Sequence, residues 1–169
     1  MTETADAPPA TKTLDARTFW RAVGNRAIGA AVVAAADDDG PAGFLALSAT
    51  HLSADPPMLM VSIDKRTSAL AKVLKSRHFA VNYLPSDAGD LADIFSGKGP
   101  LSGADRFEPG RWTALTTGAP VLFDAVGALD CVLEETIERF GVVIAIGRLV
   151  DFSVGSDKQP LISFRGTLR

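Results

Sequence analysis

Cysteine is nearly missing from this 169-residue chain, where Cys131 stands alone. One thiol cannot close an intrachain disulfide, and the composition fits a reducing compartment, with the cytoplasm as the default. Histidine is almost as scarce. His51 and His78 lie far apart and, with a single cysteine, give no metal-ligand spacing, so no metal site is expected. A dominant charge is lacking too: 17 Lys and Arg against 20 Asp and Glu leave a net charge of −3. Phosphate-backbone binders concentrate Lys and Arg on one face, so no nucleic-acid partner is expected. The longest uncharged apolar run, residues 27–36, ends at Asp37-Asp38-Asp39-Gly40. It falls well short of the roughly 20 residues that span a bilayer, so no membrane association is expected. The amino terminus, with Glu3, Asp6 and Pro8-Pro9, has no apolar stretch of the secretory kind.

Nucleotide fingerprints are missing as well. No G-x-G-x-x-G opens a strand–helix unit, which argues against a Rossmann nicotinamide site. Gly97-Lys98-Gly99-Pro100 fails as a P-loop because Gly99, rather than Ser or Thr, follows Lys98. Cys131 sits in strand alternation and reads as a small core residue, not a nucleophile. No side chain is marked as catalytic. Such poverty suits chemistry carried by a bound organic group, for which the protein supplies binding and orientation.

What is present is a globular balance, 47% hydrophobic and 22% charged, at a length suited to one domain. Residues 1–13 are small, polar and Pro-containing and read as a flexible tail, leaving 14–169 as the domain. Asp15 can cap a short helix carrying Phe19, Trp20 and Val23. Strands are expected over 29–36 and 42–48, joined by the Asp39-Gly40 turn signal, and then over 58–64 and 78–84. Helices are expected over 67–75 and 87–95, followed by a Gly-rich loop to Ala104 and an irregular stretch over 107–124. Two long strands, 125–138 and 141–153, turn near Arg139-Phe140, and a last strand covers 161–165. In the first of these, Leu129, Cys131 and Leu133 share one face, while Asp130 and Glu134 take the other. Many strands with short intervening helices argue for an antiparallel barrel, not a doubly wound sheet.

The best binding candidate read from the residues is the junction Ser62-Ile63-Asp64-Lys65-Arg66-Thr67-Ser68, where an apolar strand meets a helix. Free N–H groups at a helix start suit an anion, and Lys65 and Arg66 add charge while Asp64 tempers it. The alternative is a plain cap with a solvated basic pair. Leu47, Ser48, Ala49 and Thr50 are small enough in part to let a flat polar ring edge approach the backbone, or they form an edge strand facing water. Lys98, Arg106 and Phe107 either cover a ligand or belong to a solvated, ion-paired loop.

Five segments, in order, carry a family resemblance. Gly43 to Pro57 runs through Ser48-Ala49-Thr50 to Asp55-Pro56-Pro57. Phe79-Ala80-Val81-Asn82-Tyr83-Leu84, Asp105-Arg106-Phe107, Gly118-Ala119-Pro120-Val121-Leu122 and Ser163-Phe164-Arg165-Gly166 follow. Together they resemble the flavin reductase-like family of FMN-binding split barrels. The resemblance implies a mainly β fold, a split antiparallel β-barrel of six to seven strands with short flanking helices, assembled as a homodimer. It implies an NAD(P)H-dependent reductase that takes FMN or FAD as a diffusible substrate, with NADH or NADPH as hydride donor. Reduced flavin would pass by diffusion to a separate oxygenase component that hydroxylates a small, aromatic substrate. By resemblance, Ser48, Ala49 and Thr50 hold the ring and ribityl chain, the junction around Ser68 contacts the flavin, and Phe164 and Arg165 lie near it. Leu45 and Leu47 stand where Thr and Ser are common in the family, which leaves more of the contact to the backbone. One landmark is absent: the family's Gly-Asp-His falls on Phe140, Gly141 and Val142, so no histidine faces the nicotinamide. A flavin carrier or sensor without reductase activity, and an interaction module that has lost the flavin, therefore stay open.

Overall fold

Asp15 opens the first element, its carboxylate accepting the Thr18 N–H at 2.8 Å to cap α1 (Ala16–Val23). The computed structural model describes residues 14–155 and 157–169, so the tail expected over 1–13 lies outside the described residues. α1 buries none of its side chains, and Phe19 and Trp20 face outward instead of into a core. β1 (Ile28–Gly29) leads into β2 (Ala31–Asp37) and β3 (Gly40–Ala46), a hairpin whose turn sets Gly40 at φ +96°. β4 (Thr50–Ala54) turns through a cis Asp55–Pro56 bond into β5 (Pro57–Asp64), and α2 (Ser68–Ser76) follows. β6 (His78–Tyr83), α3 (Gly89–Phe95) and a single 3-10 turn (Gly103–Arg106) come next. Two short strands, β7 (Trp112–Ala114) and β8 (Pro120–Leu122), lie within the stretch expected to be irregular. The long β9 (Gly127–Arg139) and β10 (Val142–Val154) precede β11 (Ile162–Phe164) and β12 (Thr167–Leu168).

Seven strands pair antiparallel in the order β3-β2-β6-β9-β10-β5-β4. β1, β11 and β12 form a small second sheet, and β7 pairs with β8. The unbroken apolar run of β2 has a direct cause. Ala31, Val33 and Ala35 enter one core cluster, while Val32 and Ala34 enter another on the opposite face, so both faces of the strand are buried. The first cluster also takes Ala46 from β3, Leu59, Val61 and Ile63 from β5, and Leu70 and Val73 from α2. Strands from both ends of the sheet order thus curl around one interior. β3 and β4 share no ladder among the described residues and are joined by the crossover 47–49, so the barrel is split there.

β9 departs from simple alternation. Asp130, expected on the face away from the core, is 0% exposed. That outer face is covered by the 117–121 segment: Ala119, Val121 and Ala128 cluster there, and Asp130 accepts the Thr117 N–H at 2.7 Å and its hydroxyl. In β10, Gly147 lies flat against Phe79, where a Cβ would stand 2.6 Å from the ring.

Candidate functional site

The crossover from β3 to β4 is built on side-chain alternation. Leu45 and Leu47 pack on the second core, while Ala46 lies in the first and Ala49 packs against it. Ser48 is half-buried, and its hydroxyl donates to the Ser62 carbonyl at 3.1 Å and accepts the Ser62 N–H at 3.3 Å. Thr50 pairs with Met60 as the first rung of β4 and is exposed. The backbone of Ser48 and Ala49 lies outside any strand, and both residues are half-buried with small side chains of their own.

Across from it lies the junction of β5 with α2. Asp64 is taken up by Arg66, whose guanidinium donates to both carboxylate oxygens at 3.0 and 2.7 Å and whose N–H adds a third bond at 2.9 Å. These bonds from Arg66 hold the Asp64 carboxyl down at about 2, so it stays ionised and cancels that guanidinium. Lys65 is the remaining cation. Its N–H donates to the Gly141 carbonyl at 3.1 Å, and its ammonium pairs with Glu138 on β9, tying the junction to the β9–β10 hairpin tip. Thr67 precedes α2 in extended backbone, with no side-chain cap bond to the helix, and Ser68 is the first helical residue. A nine-residue helix with an uncapped start, a lysine and a serine hydroxyl beside it has the donor set for a phosphate.

The other expected residues are distributed more widely. Arg106 donates to the carbonyls of Leu101 at 3.0 Å and Gly43 at 3.4 Å, clamping the Gly-rich loop to β3. Phe107 packs edge-on to Phe95 and against Trp112, with ring centroids 5.1 and 4.8 Å apart. Gly43 makes this possible, since a Cβ there would meet Val33 O at 2.9 Å and the Phe95 ring at 3.0 Å. Lys98 forms an exposed pair with Asp93 at 3.3 Å. Phe164 and Arg165 stand on the small sheet. The guanidiniums of Arg165 and Arg169 lie 5.1 and 5.0 Å from the Phe164 ring centre, and Arg165 donates to Asn25 at 3.3 Å. Between this turn and α1 lies an open cleft of about 540 Å³ that also carries Arg17, Trp20 and Arg21.

Val142 pairs with Asp64 on one side and Arg139 on the other, so the position of the family histidine adjoins the junction but carries only an alkyl group. His51 lies on β4 and His78 opens β6. Among the described residues no group of three His, Cys, Asp or Glu is placed to hold a metal, and no helix is long and apolar enough to cross a membrane. The Ser48–Ser62 link and the partnering of Lys65 with the hairpin tip were not foreseen from sequence. Both depend on strand register, although the small residues at 48–50 pointed to the place.

The fold is a split, mainly β barrel in which a strand–helix junction faces a crossover outside the ladder, an architecture of the flavin reductase type and neither a Rossmann nor a P-loop one. The chain belongs to the flavin reductase like domain family, whose sequence model matches residues 24–169. It is 32% identical over 161 residues to the FMN reductase (NADH) RutF of Agrobacterium fabrum, covering 94% of this chain and 91% of that protein. It is 28% identical over 163 residues to HsaB of Rhodococcus jostii RHA1, the reductase subunit of a flavin-dependent monooxygenase, covering 96% and 82% respectively. The solved structure of the flavin reductase PheA2 in its native state aligns with a TM-score of 0.83 at 26% identity, covering 92% of this chain and 97% of that one.

Proposed function

We propose that this protein is an NAD(P)H:flavin reductase that supplies reduced flavin to a separate oxygenase component. The observation that carries it is the uncapped start of α2, with Ser68 and Lys65, set across from the crossover at Ser48–Thr50. These residues fit a flavin at both ends: a phosphate at the helix start, and a flat ring edge along backbone that has left the ladder. Ser62, Asp64 and Leu47 shape the same place, with Arg106 and Phe107 holding the Gly-rich loop and Lys98 above it. Phe164 and Arg165 serve as outer contacts beside the basic cleft of α1. When bound, the flavin supplies the hydride acceptor, and the protein's task is to bind, orient and shield.

No side chain here has to move a proton for that task. Ser68 and Lys65 bind charge, with Lys65 exchanging its contact with Glu138 for the phosphate, Asp64 neutralises Arg66, and Val142 packs beside the donor without polarising it. NADH is favoured as donor by the RutF likeness and a separate oxygenase partner by the HsaB likeness, while a small aromatic substrate for that oxygenase rests on the family resemblance alone. FMN and FAD both suit the ring site. A homodimer in the cytoplasm is the proposed working form. Exposed Leu52, Phe152 and Val154 on β4 and β10, near an apolar hollow lined by Leu129 and Leu149, support a twofold partner.

Mixing the protein with NADH or NADPH and excess FMN or FAD, and following absorbance at 340 nm, tests the proposal. Sustained oxidation supports the reductase. Val142 in the histidine position favours one second reading, a flavin carrier, for which flavin binds tightly and NADH is not consumed. A monomeric mass at micromolar concentration in analytical ultracentrifugation would reject the dimer.

A further inference from the structure

The cations of this chain divide into paired and unpaired by place. Every lysine of the described residues, Lys65, Lys72, Lys75, Lys98 and Lys158, forms an ion pair. Arg17, Arg21 and Arg165 form none among those residues, and all three line the cleft of about 540 Å³ between α1 and the β11–β12 turn. The neighbouring acid, Asp15, is committed to the Thr18 N–H as the cap of α1. A chain of net charge −3 thus gathers uncompensated positive charge in one cleft.

The same cleft carries apolar surface left open to water. α1 buries none of its side chains, and Trp20 and Phe19, in edge-on contact at 5.2 Å, are 65% and 51% exposed. Arg17, Trp20, Arg21 and Gly24 recur at helical spacing and all line the cleft. Arg165 closes the opposite wall. Its N–H donates to the Gly24 carbonyl at 2.8 Å and its guanidinium to Asn25 at 3.3 Å, so the two walls are fastened to each other without a ligand. Exposed tryptophan beside arginine in a preformed groove is the composition of interface anchors. We propose that this cleft docks an acidic segment of a partner protein, whose carboxylates meet Arg17, Arg21 and Arg165 while one large apolar side chain lies against Trp20. Guanidinium forks suit carboxylates, and positive charge on both walls of an open trough suits acids spaced along a chain. A nucleotide would fill the cleft but leave Phe19 uncovered. On the reductase reading the partner is the oxygenase component, although the dock itself does not depend on that reading.

The probe is a fluorescein-labelled peptide, Glu-Asp-Leu-Phe-Glu-Asp, titrated with the full chain at low ionic strength and followed by anisotropy, without flavin or NADH. It should bind saturably and weaken steeply with added salt. Trp20→Ala and Arg21→Ala should each weaken it on the order of 10-fold, as central interface anchors do. Arg148→Ala, which removes an exposed cation paired with Glu134 elsewhere, should keep the parental affinity. Because α1 buries no side chain, both cleft variants should keep the parental thermal midpoint and mass in solution. A parent that does not bind the peptide, or an equal loss in Arg148→Ala, overturns the dock. A lower mass in either cleft variant overturns it too, since the face then belongs to the contact between copies. So does ADP binding that Trp20→Ala abolishes while the peptide fails to bind, which makes the cleft a nucleotide site. NADH oxidation is measured apart from this titration, so a failed dock leaves the reductase reading standing.

Discussion

The Ser48 hydroxyl both donates to the carbonyl and accepts the N–H of one residue, Ser62, fourteen positions further on. Thr50 pairs with Met60, and continuing that rung by two residues brings Ser48 opposite Ser62. A side chain here performs the exchange that two backbones would make in a regular ladder. The crossover is therefore pinned to β5 while its own backbone remains available.

Ser48→Ala should break both bonds at once. With Ser62 exposed to water, the loss should be about 1 kcal/mol, read as a lower urea midpoint at unchanged slope. Flavin affinity should fall as well, because the crossover is no longer held in position.

Lys65→Ala and Ser68→Ala should each weaken FMN binding, the lysine variant by roughly 10- to 100-fold, as expected for a charge-assisted phosphate contact. Val142→His should shift the KM for NAD(P)H and leave FMN affinity near the parental value. Titration by flavin fluorescence quenching measures both, and parental affinity in both anchor variants would move the phosphate elsewhere.

Gly147→Ala should destabilise the fold by overpacking. The added methyl would stand 2.6 Å from Phe79 and 3.0 Å from the Cys131 Cβ, and Phe79 is wholly buried with no room to turn aside. A loss of about 1–3 kcal/mol is expected in chemical denaturation.

Acid should loosen the β2–α2 contact. A hydrogen bond from Lys72 holds the Asp37 carboxyl at about 2, below its ordinary 3.8, with Lys75 adding to the effect. The folded state thus favours the ionised form. Its contribution is complete above about pH 4 and is lost as pH falls towards 2. Asp37→Asn should lower the thermal midpoint at neutral pH and flatten its decline through that window.

Local chemistry made much of the fold legible. Asp39-Gly40 marked the first hairpin because its turn needs positive φ, and helical spacing placed Leu70, Val73 and Leu74 on one side of α2, where Leu70 and Val73 are buried but Leu74 is exposed. The junction at 62–68 was legible for the same reason: an apolar strand running into polar residues announces a helix start. Non-local covering was not legible. Asp130 alternates as an outward residue, and only the folding of 117–121 over β9 buries it. Arg106 reads as a ligand contact or an ion-paired loop residue, and its guanidinium instead goes to the carbonyls of Leu101 and Gly43. Ser48 declares its small size in the sequence but not the rung it completes.

Cys131 is 0% exposed, and burial pushes its thiol up to about 12. The native fold therefore keeps its only sulfhydryl out of reach of alkylating and maleimide reagents. A cysteine introduced on the surface, for example at Phe123, would be the sole reactive thiol of the folded protein. A dye or spin probe can then be attached at one chosen point, without first removing the native residue.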